Sequence, residues 1–165
     1  MPRYKNPLGQ YEYVDVIFNS STMINRENVG QNFELSLTHI GNEIVYKIQK
    51  EQIPVDQAYQ MILDYIKICS PTQAEYLEST VDSMTKDELV FFIESILEAG
   101  SIHLSMKPIS DSMTIDKLAL LYEKFPWVEQ NHMEVALKDS SGNLRYIPAR
   151  RTMVMGKQYI FRPTF

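Results

Sequence analysis

Cysteine, long apolar runs and targeting signals are scarce in this chain of 165 residues. The single cysteine, Cys69, cannot form an internal disulfide, which fits a reducing compartment. No apolar run approaches the ~18 residues that span a bilayer, and the N-terminal stretch MPRYKNPLGQ lacks the apolar region of a signal peptide. We therefore expect a soluble, cytoplasmic protein without membrane contact.

Motifs of self-contained enzymes are also missing. Neither G-x-x-x-x-G-K-[ST] nor G-x-G-x-x-G occurs, which argues against an autonomous nucleotide-binding enzyme. The histidines His39, His103 and His132 are far apart in sequence and lack the neighbours of a metal site, so we expect no metal bound by this chain. The formal charge of −5 argues against a broad basic nucleic-acid-binding face. Any contact with nucleic acid should then be local.

Apolar residues at helical spacing occupy the middle of the chain and predict five helices. The expected helices run over about 28–51, 54–69, 71–83 and 86–99, and from Thr114 to just before Pro126. Thr85 and Glu88 have the spacing of a capping box, and Gly100 should end the fourth helix.

Runs typical of strands lie towards both ends of the chain. Residues 1–10 are expected to be an irregular lead into the first strand, because they contain two prolines and a glycine. Strands are expected at about 11–18, 102–108, 134–138, 144–147 and 152–161. The turn at residues 139–143 should close a hairpin, because it contains Asp139 and Gly142. The predicted fold class is α+β, with strands at the ends and helices between them.

Several blocks of sequence resemble a known family. Met1-Pro2 is followed by VDVIFN at 14–19 and NRENVGQ at 25–31; PISDS at 108–112, DSSGN at 139–143 and MVMGKQYIFR at 153–162 come later. In order and spacing these blocks resemble the second-largest (β) subunit of multisubunit DNA-directed RNA polymerases. Departures occur at Ser20, Thr22, Ile24 and Glu27, and the match stops after Arg162. They indicate a divergent member, for which a phage or viral source is one interpretation.

The resemblance assigns a role to Arg26. On its own, an arginine in a polar loop before a helix is most simply a solvated connector, although such a loop can meet an anion. In the family the matching arginine projects towards the triphosphate of the incoming nucleotide, which makes Arg26 the expected substrate-binding residue. Asn19, Asn28 and Gln31 are expected to shape the loop around it. The basic residues Arg150, Arg151 and Arg162 could face nucleic acid, a subunit or solvent.

The resemblance also implies how the chain is organised. Residues 1–30 and 133–165 would contribute strands to the polymerase β-barrel, 31–100 would form a helical insertion and 101–132 a strand-helix connector. The strands at about 14–18 and 153–161 should then lie close together. Catalytic Mg²⁺ would be held by aspartates of the largest subunit, and the family's active-site lysines lie upstream of the Met-Pro block. We therefore expect a fragment or split-gene piece that is inactive alone.

The expected partners follow from this assignment: other polymerase subunits or subunit pieces, a nucleoside triphosphate, the DNA template and the RNA product. The alternative is a non-catalytic helical interaction module of a transcription or viral regulator. The two hypotheses differ in one respect, because an interaction module has no need to bring the Arg26 loop and the Gly156-x-x-Tyr159 block together.

Overall fold

The computed structural model describes residues 1–19, 29–105 and 113–158, which form five helices and four strands. The predicted α+β class is therefore confirmed. In chain order the elements are β1 (Arg3–Lys5), β2 (Tyr11–Tyr13), α1 (Val29–Glu51), α2 (Val55–Cys69), α3 (Pro71–Val81), α4 (Lys86–Ala99), α5 (Ile115–Lys124), β3 (Met133–Lys138) and β4 (Leu144–Pro148).

The chain divides into two compact units. The terminal unit comprises the described residues among 1–39 and 129–165, and the helical unit comprises those among 40–128. Helix α1 belongs to the terminal unit as far as His39 and to the helical unit from Ile40 onwards. The proposed division at residues 30, 100 and 132 remains a prediction.

The helical unit has an apolar core of its own. Helices α1 and α2 supply most of it at helical spacing, and α4 and α5 each add a buried side chain. The largest fully buried side chains of this unit are Tyr65, Ile40, Ile44, Ile62, Leu121, Val45 and Cys69. Gly41 does not interrupt α1; a Cβ there would lie 3.5 Å from the Tyr65 hydroxyl, which is ordinary van der Waals contact.

Helix boundaries follow local signals. The Thr85 side chain accepts a hydrogen bond from the Glu88 backbone, the Glu88 carboxylate accepts one from the Thr85 backbone, and Gly100 ends α4 with a left-handed φ of 67°. Thr114 caps α5 by accepting a hydrogen bond from the Lys117 backbone. The predicted helices are thus confirmed to within two residues over the described positions.

The four strands form one antiparallel sheet in the order β2-β1-β3-β4, and over the described residues this sheet is open, not a closed barrel. Two hairpins, β1-β2 and β3-β4, are joined where Arg3 lies opposite Glu134 and Tyr4 opposite Met133. The β3-β4 hairpin and its turn confirm the prediction, because Asp139 Oδ1 accepts hydrogen bonds from the Ser141 and Asn143 backbones, each at 2.9 Å.

Several strand predictions were wrong. Residues 3–5 form β1 although two prolines and a glycine suggested an irregular lead, and β2 covers only 11–13 of the predicted 11–18. No strand occurs at 102–105, the described part of the expected strand at 102–108, and at 152–158 only Met153 forms a bridge, to Asn131. A strand needs a partner at the right distance, whereas alternation of side chains is a local property.

None of the helices within the described ranges combines the length and the apolar character needed to cross a membrane.

Candidate functional site

The expected substrate-binding residue, Arg26, lies outside the described residues, as do Asn28 and Arg162. The structure describes the chain on either side of residues 20–28, up to Asn19 and from Val29 onwards. The role of Arg26 therefore stays a prediction. The described part of the candidate site consists of α1 and of residues 155–158, which pack on it.

The first half of α1 is held against residues 155–158. The side-chain amide of Gln158 donates a hydrogen bond of 2.7 Å to the Gln31 carbonyl oxygen, in the first turn described for α1. Two turns further on, His39 Nδ1 lies 3.0 Å from the Met155 carbonyl oxygen. All four residues belong to the terminal unit. The block that contains Gly156 is therefore fixed along the helix that follows the Arg26 loop.

Gly156 lies at the point of closest approach between this segment and α1. A Cβ at this position would be 3.0 Å from the Leu35 carbonyl oxygen, 3.2 Å from Leu35 Cδ1 and 3.3 Å from the His39 amide nitrogen. Contact at 3.0 Å with a backbone atom cannot be relieved by a rotamer change. A larger residue at position 156 would require the Leu35 and His39 backbones to shift by a few tenths of an ångström, so the packing favours glycine.

His39 connects three parts of the terminal unit. Its side chain is 2% exposed, and Nε2 lies 3.0 Å from the Glu129 carbonyl oxygen while Nδ1 faces Met155. A neutral imidazole carries one N–H and can donate to only one of these carbonyls. Burial lowers the pKa of His39, and the two carbonyl oxygens offset that effect in part. His39 is therefore a buried residue between two carbonyl oxygens, a position that no local sequence pattern indicated.

The apolar run at residues 14–19 is not a strand, and much of it is solvent-exposed. The exposed fractions are 50% for Val16, 53% for Ile17 and 43% for Phe18. The expected strands at about 14–18 and 153–161 are therefore not formed over the described residues, and their expected proximity stays a prediction. Three adjacent large apolar side chains that remain this exposed are a common feature of surfaces that another polypeptide covers.

The basic group near the C-terminal end is partly described. Arg150 and Arg151 follow β4 directly and are both exposed. Nearby, the backbone amides of Asn131 and Met153 each donate a hydrogen bond of 2.9 Å to the carbonyl oxygen of the other residue. These two arginines are thus accessible to an anionic partner.

Side chains that could bind a metal ion do not converge in the part of the chain that the structure describes. Within residues 1–19, 29–105 and 113–158, no three His, Cys, Asp or Glu side chains are grouped so that they could hold a metal ion. Both ring nitrogens of His39 face backbone carbonyl oxygens.

One cluster was missed by the sequence analysis. Arg3 on β1 contacts the rings of Tyr11 and Tyr146 and forms a 2.8 Å ion pair with Glu134. The alternation in RYK and YEY could have indicated strands with polar and aromatic residues on one face. The contact itself spans more than 130 residues, so no local pattern predicts it.

Comparison with known proteins gives no match, either to a protein-family model or to a curated protein. The function is therefore inferred from the sequence blocks and from the geometry described above.

Proposed function

We propose that this chain is a segment of the second-largest subunit of a multisubunit DNA-directed RNA polymerase. In this role it presents a nucleotide-facing loop, at about residues 20–28, to an active centre that other chains complete. The proposal rests on the sequence blocks, which occur in the family's order and spacing. A divergent phage or viral enzyme is the source that best fits the departures from the family pattern.

The observation that carries the proposal is the packing of α1 against the Gly156 block. The polymerase hypothesis requires the Arg26 loop and this block to lie together, and an interaction module does not; the structure describes the helix that follows Arg26 in the sequence, α1. The Gln158 to Gln31 hydrogen bond and the 3.0 Å limit at Gly156 support that requirement. The two elements are far apart in sequence, so their contact is not a consequence of chain connectivity.

In the proposed role, Arg26 binds phosphate oxygens of the incoming nucleoside triphosphate. A guanidinium is permanently charged and presents donors in a planar fork, so it can hold phosphate and stabilise charge that develops during transfer. Mg²⁺ is held by aspartates of the largest subunit. The partners are that subunit, the remaining polymerase pieces, the template and the transcript.

The proposed barrel needs further strands. Over the described residues the sheet has four strands and is open, with β2 and β4 at its edges. Backbone groups of a sheet edge pair readily with an added strand. In the proposed enzyme, the rest of the subunit covers Val16, Ile17 and Phe18.

The direct test is the kinetics of Arg26 variants in the assembled enzyme. Arg26→Ala should raise the apparent KM for nucleotide, lower kcat, or both, because a charge-assisted contact of this kind contributes about 1.5 to 3 kcal/mol. That corresponds to roughly tenfold to a hundredfold. Arg26→Lys should restore activity only in part, since an ammonium lacks the planar fork. The measurement is single-nucleotide addition on a preassembled template and primer.

Arg145→Ala is the matched control. Arg145 is an exposed arginine on β4, outside every block that carries the resemblance, so its loss should leave nucleotide addition unchanged. Unchanged kinetics for Arg26→Ala, with a normal thermal melt, would contradict the proposed role. A collapsed melt for Arg26→Ala would assign the residue to the fold.

A second candidate function is a non-catalytic interaction module of a transcription or viral regulator. The observation that favours it is the exposure of large apolar side chains on the helical unit, at 74% for Tyr76, 73% for Phe91 and 75% for Ile115. The two candidates separate in one experiment. A module should bind its partner equally well before and after the Arg26→Ala change, and the complex should not incorporate nucleotides.

A further inference from the structure

One face of the open sheet combines aromatic rings with cations. Residues that lie opposite each other in an antiparallel sheet share a face, so the registers put these side chains together. The face, called here the aromatic-basic face, contains Arg3, Lys5, Tyr11, Tyr13, Glu134, Ala136, Lys138, Leu144, Tyr146 and Pro148. Tyr11 is 47% exposed, Tyr13 59% and Leu144 63%, so this face is directed to solvent.

A stack of three side chains lies at the centre of this face. The guanidinium carbon of Arg3 is 3.8 Å from the ring centre of Tyr11 and 3.5 Å from that of Tyr146. Tyr146 reaches Arg3 across β3 because the residue opposite it is the small Ala136. The stack joins β4 to β1 and β2 in one surface that carries aromatic rings. Such a surface accepts a nucleobase of any identity, since every base has a π face.

The charge of this face differs from that of the chain. Glu134, the only acidic residue among the ten that define the face, is paired with Arg3 at 2.8 Å, which leaves Lys5 and Lys138 as unbalanced cations of that set. Glu12 is on the opposite face, where the Tyr4 hydroxyl and the Asn6 amide donate hydrogen bonds to its carboxylate. A polyanion is therefore the partner that complements the face.

The terminal unit and the helical unit also differ in charge. Residues 1–39 and 129–165 hold nine lysines and arginines against seven aspartates and glutamates, whereas residues 40–128 hold seven against fourteen. The formal charge of −5 is thus due entirely to the helical unit. The total charge conceals a terminal unit with a small positive balance, which allows the local contact with nucleic acid that the composition left open.

We propose that the aromatic-basic face binds single-stranded nucleic acid, with bases stacked on the tyrosines and phosphates at Lys5 and Lys138. Four-stranded sheets with exposed aromatic residues stack about two or three bases in this manner. Duplex does not fit the same surface, because its bases are already stacked on each other. The inference does not depend on the polymerase assignment, since it stands on the sheet alone.

The test is fluorescence anisotropy of the full 165-residue chain with a labelled oligo(dT) of about 12 nucleotides, within the ~4–16 nucleotide site sizes of single-strand-binding folds. Replacing both stacking rings, in Tyr11→Leu with Tyr146→Leu, should weaken binding about tenfold or more. Replacing both lysines, in Lys5→Gln with Lys138→Gln, should lower the slope of log affinity against log salt by about 0.7 per lysine.

Two control variants match these changes. Arg145→Gln removes one positive charge on the opposite face of the same sheet, and Tyr76→Leu removes an exposed tyrosine of the helical unit. Both should bind as the unchanged chain does. If the tyrosine pair lowers the melting temperature, the lysine pair still decides, because its side chains are exposed and contribute little to the fold.

Four results would overturn the proposal. The first is absence of binding at low salt, and the second is an affinity for a duplex of the same length equal to that for oligo(dT). The third is displacement of labelled oligo(dT) by polyglutamate equal to that by unlabelled oligo(dT). The fourth is a loss of affinity in the control variants equal to that in the tyrosine and lysine pairs. Equal displacement by polyglutamate would assign the face to acidic peptides. If the oligo(dT) binding assay contradicts this proposal, the prediction for the Arg26 kinetics is unaffected. If the Arg26 kinetics contradict the proposed function, the prediction for oligo(dT) binding is unaffected.

Discussion

At the scale of single residues, packing restricts the size of the side chain at position 156. A Cβ there would meet the Leu35 backbone oxygen at 3.0 Å. We expect Gly156→Ala to lower the free energy of unfolding by about 1 to 3 kcal/mol, the usual cost of overpacking. Urea denaturation measures the change.

Gly30→Ala is the matched control for Gly156→Ala. Gly30 lies in the first turn of α1, and a Cβ added there would have no heavy atom within 4 Å apart from its own helix and chain neighbours. Alanine there should be neutral or should stabilise the chain by up to about 1 kcal/mol, because it has the higher helix propensity. Equal effects at both positions would show that the packing of residues 155–158 on α1 does not limit position 156.

His39 should make stability depend on pH. Because burial lowers its pKa in the folded chain, the unfolded chain binds the proton more readily. The free energy of unfolding should therefore fall as the pH drops below about 6.5, the ordinary value, and should level off below the lowered pKa of the folded state. Urea midpoints measured across this range in the parent chain and in His39→Gln check the prediction.

The variant isolates His39, since His103 and His132 remain in both proteins. His39→Gln should lose stability at every pH, because a flexible amide does not reproduce the packing of the buried ring, but its dependence on pH should be weaker. A rise in stability on acidification of the parent chain would mean that the Met155 and Glu129 carbonyls hold an imidazolium. That outcome would reverse the sign of the prediction.

At the scale of elements, the helices and the β3-β4 hairpin were predictable, whereas β1 and the extent of β2 were not. The helix bounds depend on signals within a few residues, such as the capping box at Thr85 and the left-handed Gly100. Strand β1 pairs with β2 in a local hairpin and with Glu134 and Met133, about 130 residues away. The apolar run at 14–19 has the composition of a strand but no partner strand within the described residues. Pairing, which composition does not encode, decided both cases.

The capping box of α4 gives a prediction at this scale. Thr85→Ala removes the acceptor for the Glu88 amide and one donor to the Glu88 carboxylate. We expect a loss of about 0.5 to 2 kcal/mol in the free energy of unfolding. Thr38→Ala is the comparison: its hydroxyl donates to the Glu34 carbonyl in the interior of α1, so it does not cap a helix end. A loss at Thr85 no larger than at Thr38 would contradict the assigned cap.

At the scale of the whole molecule, the candidate site was predictable only in outline. The order of the sequence blocks led to the Gly156 block and to α1, and the structure packs these two together. It did not lead to His39 or to the Arg3 stack, because both depend on contacts between residues that are distant in sequence. A family-like pattern identifies which segments matter, whereas the side chains that join them follow from packing.

The last prediction concerns the activity of the chain by itself. Nucleotide addition by the proposed enzyme needs a metal centre that stabilises the attacking and leaving oxygens, and the assignment gives that centre to the largest subunit. The purified 165-residue chain should therefore incorporate no nucleotide on a template and primer with Mg²⁺. Activity should appear when the chain is coexpressed with the remaining subunits, and Arg26→Ala should reduce it. Template-dependent incorporation by the chain alone would contradict the assignment, because a β-subunit segment supplies a loop and strands to an active centre whose metal ligands belong to another polypeptide.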